Sequence, residues 1–126
     1  MSATRLVLVV DDHDDSREMY RMALESYGYA VAEAAHAEAA LAAASVRLPG
    51  AVISDVRMPG DVSVEDLCDY FHERRVPVIA ITGLPEGDAE VRRIRDRCVS
   101  VMIKPVTPDA LREELARVFG RESAPA

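Results

Sequence analysis

Short apolar runs and longer segments of helical period alternate along the whole chain. The runs Leu6–Val10, Ala51–Ser54, Val76–Ile81 and Val99–Ile103, with a weaker one at Tyr29–Ala34, predict five strands. They are β-branched and apolar without interruption, the pattern of strands covered on both faces of a parallel sheet. Between them, Ser16–Tyr27 predicts a helix with Met19, Tyr20, Ala23 and Tyr27 as its apolar positions and Gly28 as its stop. Ala37–Val46 is rich in alanine and leucine, strong helix formers. A third helix is expected from Ser63, with Asp66 three residues on resembling a capping box and Val64, Leu67, Cys68 and Phe71 forming its buried stripe. The fourth, Asp88–Arg97, is short and charged, with only Val91 and Ile94 to bury. The last opens on Thr107 as N-cap with Pro108 in its first turn, and buries Leu111, Leu115, Val118 and Phe119.

Five strands alternating with five helices predict an α/β fold, a doubly wound parallel sheet. Residues 1–120 read as one domain. Residues 121–126 read as a disordered tail or the start of a linker, ending a stand-alone protein or leading into an output domain. In such a sheet ligands bind beyond the carboxyl ends of the strands, near the switch in strand order.

Composition narrows the possibilities. A chain of 126 residues can bury a core without a disulfide or structural metal. The formal charge of −7 argues against a domain that grips a nucleic-acid backbone unaided. No apolar run is long enough to cross a membrane, and Met1–Arg5 leads into a run too short for a signal-peptide core, so a cytoplasmic location is expected. Cys68 and Cys98 fit neither a metal spacing nor a disulfide framework and are expected as small buried hydrophobes. His13, His36 and His72 lack ligand spacing and are expected to be structural or solvent-facing, with His13 nearest the strand ends. Of the 15 basic residues only Lys104 is lysine. Arg92, Arg93, Arg95 and Arg97 make the fourth helix locally basic, either a solvated face or a docking patch.

The polar residues at strand ends carry the chemistry. Asp11 and Asp12 follow the first strand, Asp55 the third, Thr82 the fourth, and Lys104-Pro105 the fifth. All would project from the same sheet edge. Three carboxylates in one cleft repel one another, and a hard divalent cation relieves this; oxygen ligands favour magnesium or calcium over zinc or copper. Magnesium takes few protein carboxylates and keeps room for phosphate oxygens, so the cluster reads as a magnesium site that accommodates a phosphoryl group. Lys104 would neutralise one phosphoryl oxygen and Thr82 donate a hydrogen bond to another. A carboxylate can be the nucleophile, and Asp55 is the central one. A compact ammonium suits a tight cleft better than a guanidinium fork, which gives the solitary lysine a reason.

Val-Val-Asp-Asp ending at Asp12, Ser54-Asp55-Val56-Arg57-Met58-Pro59-Gly60, Thr82-Gly83 and Lys104-Pro105, in this order, resemble the receiver domains of bacterial two-component response regulators, over about residues 5 to 119. The resemblance implies a flavodoxin-like sheet of order 2-1-3-4-5. It implies Asp55 as phosphoacceptor, taking the group from the phosphohistidine of a histidine kinase or histidine phosphotransfer protein. It implies Asp12, Asp55 and the backbone carbonyl of Arg57 as direct Mg2+ ligands, Asp11 as a ligand through water, Thr82 as a switch hydroxyl and Lys104 as the charge partner. A cis Lys104-Pro105 peptide is also implied, as is docking of an output domain or protein around the fourth helix, fifth strand and fifth helix. Such a domain catalyses its own phosphorylation and slow dephosphorylation without being a turnover enzyme.

Two departures stand out. The aromatic usual three positions before the lysine is Val101 here, and valine has too little rotamer freedom to act as a swinging ring. Activation is therefore expected to run through the loop after Thr82 or the fourth helix, or to be weak. The loop from Gly60 to Ser63 lacks the family's common Met-Asp-Gly pattern. Two rivals remain open: an aspartyl-phosphate phosphohydrolase, which would want an acid where Arg57 stands, and a receiver-like interaction module independent of phosphorylation.

Overall fold

A computed structural model describes residues 5–57, 60, 62–84 and 87–123, the side chains of 121–123 excepted. Strands β1 (Leu6–Val10), β2 (Ala30–Ala34), β3 (Ala51–Asp55), β4 (Val78–Thr82) and β5 (Ser100–Ile103) alternate with helices α1 (Asp14–Ser26), α2 (Ala37–Val46), α3 (Val64–Glu73), α4 (Ala89–Arg95) and α5 (Pro108–Ser123). The strands pair in parallel in the order β2-β1-β3-β4-β5. The predicted doubly wound sheet and its strand order are both present.

Side-chain alternation along each strand divides the core into two layers. Val7, Val9, Ile53, Ile79 and Ile81 face one side, where Tyr20 and Leu24 of α1 and Leu111, Leu115, Val118 and Phe119 of α5 cover them. Leu8, Val10, Val52 and Val78 face the other, against Ala37, Ala40 and Ala44 of α2 and Leu67, Cys68 and Phe71 of α3. A smaller cluster of Val56, Ala80 and Ile94 seats α4 beside them. Near-continuous burial of β1, β3 and β4 follows from cover on both faces.

Local signals set most helix ends. The Ser63 hydroxyl accepts from the Asp66 N–H at 3.0 Å, and the Thr107 hydroxyl from the Ala110 N–H at 3.1 Å. His36, expected to be structural or solvent-facing, caps α2 through Nδ1, which accepts from the Ala39 N–H. Helix α1 departs from expectation. It begins at Asp14, and its buried residues are Tyr20 and Leu24, while Met19 and Tyr27 are exposed. One turn separates Tyr20 from Leu24, and that pair sets the face turned to the sheet. Helix α5 continues past Gly120 to Ser123, because a helix tolerates an interior glycine at a cost of only about 1 kcal/mol. Residues 124–126 of the expected tail lie outside the described residues, as do Met1–Thr4, Met58 and Pro59.

The loop before α3 is held from α2. Glu38 Oε1 accepts from the Val62 N–H at 2.9 Å, and a Cβ at Gly60 would stand 2.9 Å from the same oxygen. Gly60 also has φ +128°, a conformation L side chains rarely adopt.

Two stability measurements check this packing by urea unfolding. Leu111→Ala should lower the unfolding free energy by about 2–5 kcal/mol, since the side chain is fully buried in the α5 layer; a loss below about 0.5 kcal/mol would mean that α5 is not seated there. Gly60→Ala should cost about 1–3 kcal/mol through backbone strain, and an unchanged midpoint would contradict the positive φ.

Candidate functional site

Strand register decides which polar residues meet. Val10 lies opposite Ser54, so Asp11 and Asp55 leave adjacent strands side by side. Asp55 lies opposite Ile81, and Thr82 opposite Ile103, so Thr82 and Lys104 continue the same edge. The Lys104 N–H donates to the Thr82 carbonyl at 2.7 Å, joining the ends of β4 and β5. The Lys104-Pro105 peptide is cis, as the family resemblance implied.

All six residues singled out from sequence lie at this edge. Lys104 Nζ is 3.0 Å from Asp55 Oδ2. The other carboxylate oxygen, Oδ1, accepts from the Arg57 N–H at 3.2 Å. Asp55 and Asp11 are buried, at 7% and 3% exposure, while Asp12 is open to solvent. One oxygen from each of Asp11, Asp12 and Asp55, with a ring nitrogen of His13, falls within 4.8 Å of the others, a set that can hold a metal ion. The oxygen-rich donor set fits a hard divalent cation better than a soft one. Beside Asp12 and Arg57 opens a cavity of about 610 Å³, bordered by Gly60, Ser63, Glu65 and Glu90.

Lys104 carries its charge firmly. Burial works against the ammonium, but the Asp55 hydrogen bond and the nearby Asp55 and Asp11 charges outweigh it and raise its pKa above the ordinary lysine value. The Thr82 hydroxyl is buried and accepts from the Leu84 N–H at 2.9 Å. The Arg57 side chain is largely exposed and lies 3.5 Å from Glu90, while its backbone N–H reaches Asp55.

Two neighbours, Arg17 and Tyr20, escaped the sequence reading, and a third, His13, was expected near the strand ends but without a contact to the carboxylates. His13 is exposed, as expected, yet its Nδ1 stands 3.2 Å from Asp12 Oδ1 and 3.5 Å from Asp11 Oδ1, and its backbone N–H donates to Asp11 Oδ1. Arg17 donates through Nη1 to the Asp11 carbonyl at 2.9 Å and also pairs with Asp14 and Glu33. Tyr20 is buried beside the cluster; burial raises its phenol pKa, and Lys104, Asp11 and Asp55 act on it electrostatically. Helical spacing was the available signal, since Arg17 and Tyr20 lie one and two turns into the helix that starts at the acidic corner.

On α4, Arg93 Nε lies 3.2 Å from Glu65, and just past the helix Arg97 Nε donates to Asp69 at 2.7 Å. Two of the four arginines are thus committed to holding this region against α3. Val101 packs half-buried against the cluster of Val56, Ala80 and Ile94, together with Leu84 and Cys98. Among the described residues no helix is long and apolar enough to cross a membrane.

Comparison with known proteins agrees with this arrangement. A family model described as the response regulator receiver domain matches residues 7–116. The C4-dicarboxylate transport transcriptional regulatory protein DctD of Rhizobium meliloti is 33% identical over 121 residues, covering 93% of this chain and 26% of that protein. The regulatory protein AtoC of Escherichia coli is 31% identical over 124 residues, covering 98% of this chain and 27% of its own. The chain therefore spans about a quarter of the length of these relatives. Among solved structures, the chemotaxis protein CheY4 of Vibrio cholerae superposes with a TM-score of 0.82 at 27% identity, covering 92% of this chain and 99% of that one. With the matched family model covering nearly all of the sheet and its helices, the chain belongs to the response regulator receiver domain family.

Proposed function

We propose that this receiver domain accepts a phosphoryl group on Asp55 in a Mg2+-dependent reaction, from the phosphohistidine of a histidine kinase or phosphotransfer protein, in the cytoplasm. The observation that carries the reading is the buried Asp55 carboxylate, 3.0 Å from the Lys104 ammonium and grouped with Asp11 and Asp12. Asp12, Asp55 and the Arg57 carbonyl are the proposed direct ligands of the ion, with Asp11 acting through water. A bound Mg2+ would offset the charge of the carboxylates and of the incoming phosphoryl oxygens.

In the proposed transfer an Asp55 oxygen attacks phosphorus in line with the phosphohistidine nitrogen. The P–N bond breaks, its electron pair stays with the departing imidazole, and an acyl phosphate remains on Asp55. Lys104, already beside the carboxylate, is placed to neutralise charge spread over the transferring group. The burial of Asp11 and Asp55 strengthens each of these interactions relative to water.

The Thr82 contact supports a route for the signal that needs no aromatic ring. The hydroxyl can donate its hydrogen to a phosphoryl oxygen while still accepting from Leu84. Movement of Thr82 toward Asp55 would then draw in the Leu84 backbone, and Leu84, like Val101, packs against the cluster that includes Ile94 of α4. A partner or output domain is proposed to dock around α4, β5 and α5, where Arg92, Arg93 and Arg95 lie.

Acetyl phosphate with Mg2+, followed by intact mass spectrometry, tests the acceptor. The chain should gain the mass of one phosphoryl group, and Asp55→Asn should gain none. Rapid release of inorganic phosphate without an accumulating adduct would favour a phosphohydrolase, and no adduct at all would favour a phosphorylation-independent module. Calorimetric titration adds a second check: Asp12→Ala should weaken Mg2+ binding at least about tenfold, in the range known for altered metal sites, and equal affinity would remove Asp12 from the ligand set.

A further inference from the structure

Cys68 and Cys98 are far apart in sequence, yet the fold brings their sulfurs to 3.5 Å. Cys68 lies on α3 with no exposed surface, and Cys98 stands between α4 and β5, partly exposed. Neither is held in a disulfide. The adjoining residues make a second bridge between the same two segments: Arg97 Nε donates to Asp69 Oδ1 at 2.7 Å. Backbone bonds fix the Cys98 side further, from the Cys98 N–H to Ile94 and from the Val99 N–H to Val78. The sulfurs are therefore held in contact by structure on either side of them, rather than meeting by chance motion.

We propose that Cys68 and Cys98 form a reversible redox site, in which a hydroperoxide oxidises the pair to an intramolecular disulfide that ties α3 to the segment between α4 and β5. The two thiols are unequal in access, since Cys98 is partly exposed and Cys68 is not, and their surroundings act in the same sense. The hydrogen bond shared by the two sulfurs lowers the Cys98 thiol pKa; burial opposes the effect and the Arg97 guanidinium adds to it. The same bond, reinforced by burial, pushes the Cys68 thiol up. Cys98 also lines a cleft of about 550 Å³ with His72, Arg75, Asp96 and Val118, which admits a small oxidant, whereas Cys68 is sealed.

Cys98 is accordingly the attacking sulfur and Cys68 the resolving one. The Cys98 thiolate attacks one peroxide oxygen, the O–O bond breaks, and Cys98 becomes a sulfenic acid as hydroxide or alkoxide leaves and takes up a proton. The Cys68 sulfur then attacks the Cys98 sulfur; the S–O bond breaks, the Cys68 proton leaves with the hydroxyl as water, and the S–S bond forms. The two thiols together lose two electrons and two protons, and the peroxide is reduced to two molecules of water, or to water and an alcohol. A thiol reductant reverses the oxidation.

The site lies where restraint matters mechanically. Cys98 packs with Ile94, Leu84 and Val101 against Val56 and Ala80. A covalent tie from there to α3 limits how far α4 and the start of β5 can move. The chemistry does not involve Asp55, so it stands or falls separately from phosphoryl transfer.

The test uses the full chain, treated with hydrogen peroxide and then denatured with a thiol-alkylating reagent present. Titratable thiols should fall from two to none while the chain remains monomeric, the intact mass should drop by two hydrogens, and dithiothreitol should restore both. Peptide mapping should join the segments that carry Cys68 and Cys98. Cys68→Ser should leave Cys98 as a sulfenic acid that dimedone traps, and Cys98→Ser should leave Cys68 unoxidised. Persistence of both thiols, oxidation of Cys98 to sulfinic acid without a cross-link, or cross-linking only between chains would each overturn the proposal. The measurements on the unsubstituted chain decide it even if loss of the buried Cys68 impairs folding.

Discussion

The parallel pairing of β1 with β3 crowds negative charge at one end of the sheet. With Val10 opposite Ser54, Asp11 and Asp55 cannot avoid each other, and both are withdrawn from water. Carboxylate oxygens of the two lie within 4.8 Å of one another, so like charges are set close together away from water. The fold carries that repulsion because its hydrophobic layers and the Lys104 ammonium offset it. A site assembled against a repulsion of this kind favours whatever brings positive charge to it, which is the physical basis for a divalent cation and for stabilising a transferring phosphoryl group. Arg17 contributes nearby by holding the Asp11 backbone from α1.

From this crowded edge, packing leads to one helix in particular. Val56 follows Asp55 directly and belongs to the same cluster as Ala80, Ile94, Leu84 and Val101. Leu84 is tied by its N–H to the Thr82 hydroxyl. A small change at the proposed acceptor can thus reach α4 through close-packed groups, since well-packed interiors shift between discrete arrangements rather than deform smoothly. α4 is short and buries just Val91 and Ile94, so little apolar surface resists its displacement. The Arg93–Glu65 and Arg97–Asp69 pairs are partly exposed and contribute modestly, more to orientation than to stability. The thiol pair sits beside the same boundary, joining α3 to the segment that follows α4.

Much of the architecture was legible along the chain because each element carries its own signal. The apolar runs marked the strands to within a residue or two, and Ser63 and Thr107 announced their helices through short-range caps that tertiary contacts did not override. Where expectation and structure part, a non-local force intervened. In α1 the sheet it had to cover kept Tyr20 of the expected positions, added Leu24 and left Met19 and Tyr27 exposed. Gly60 reads as an ordinary loop glycine until Glu38, from a different helix, is seen to close over it.

For the candidate site, the sequence alone determined the cast: Asp11, Asp12, Asp55, Thr82 and Lys104 each follow an apolar run, and a parallel sheet puts every such position at one edge. That inference needs no coordinates, because strand polarity is a property of the topology. Only the tertiary structure decided the contacts that depend on register and rotamer. It brought Lys104 to Asp55, drew His13 in among the carboxylates, and committed the Thr82 hydroxyl to Leu84. It also set Cys68 against Cys98, a contact between segments whose spacing along the chain carries no hint of it. Distances between side chains on different elements arise from how helices settle on the sheet, and no local pattern encodes that.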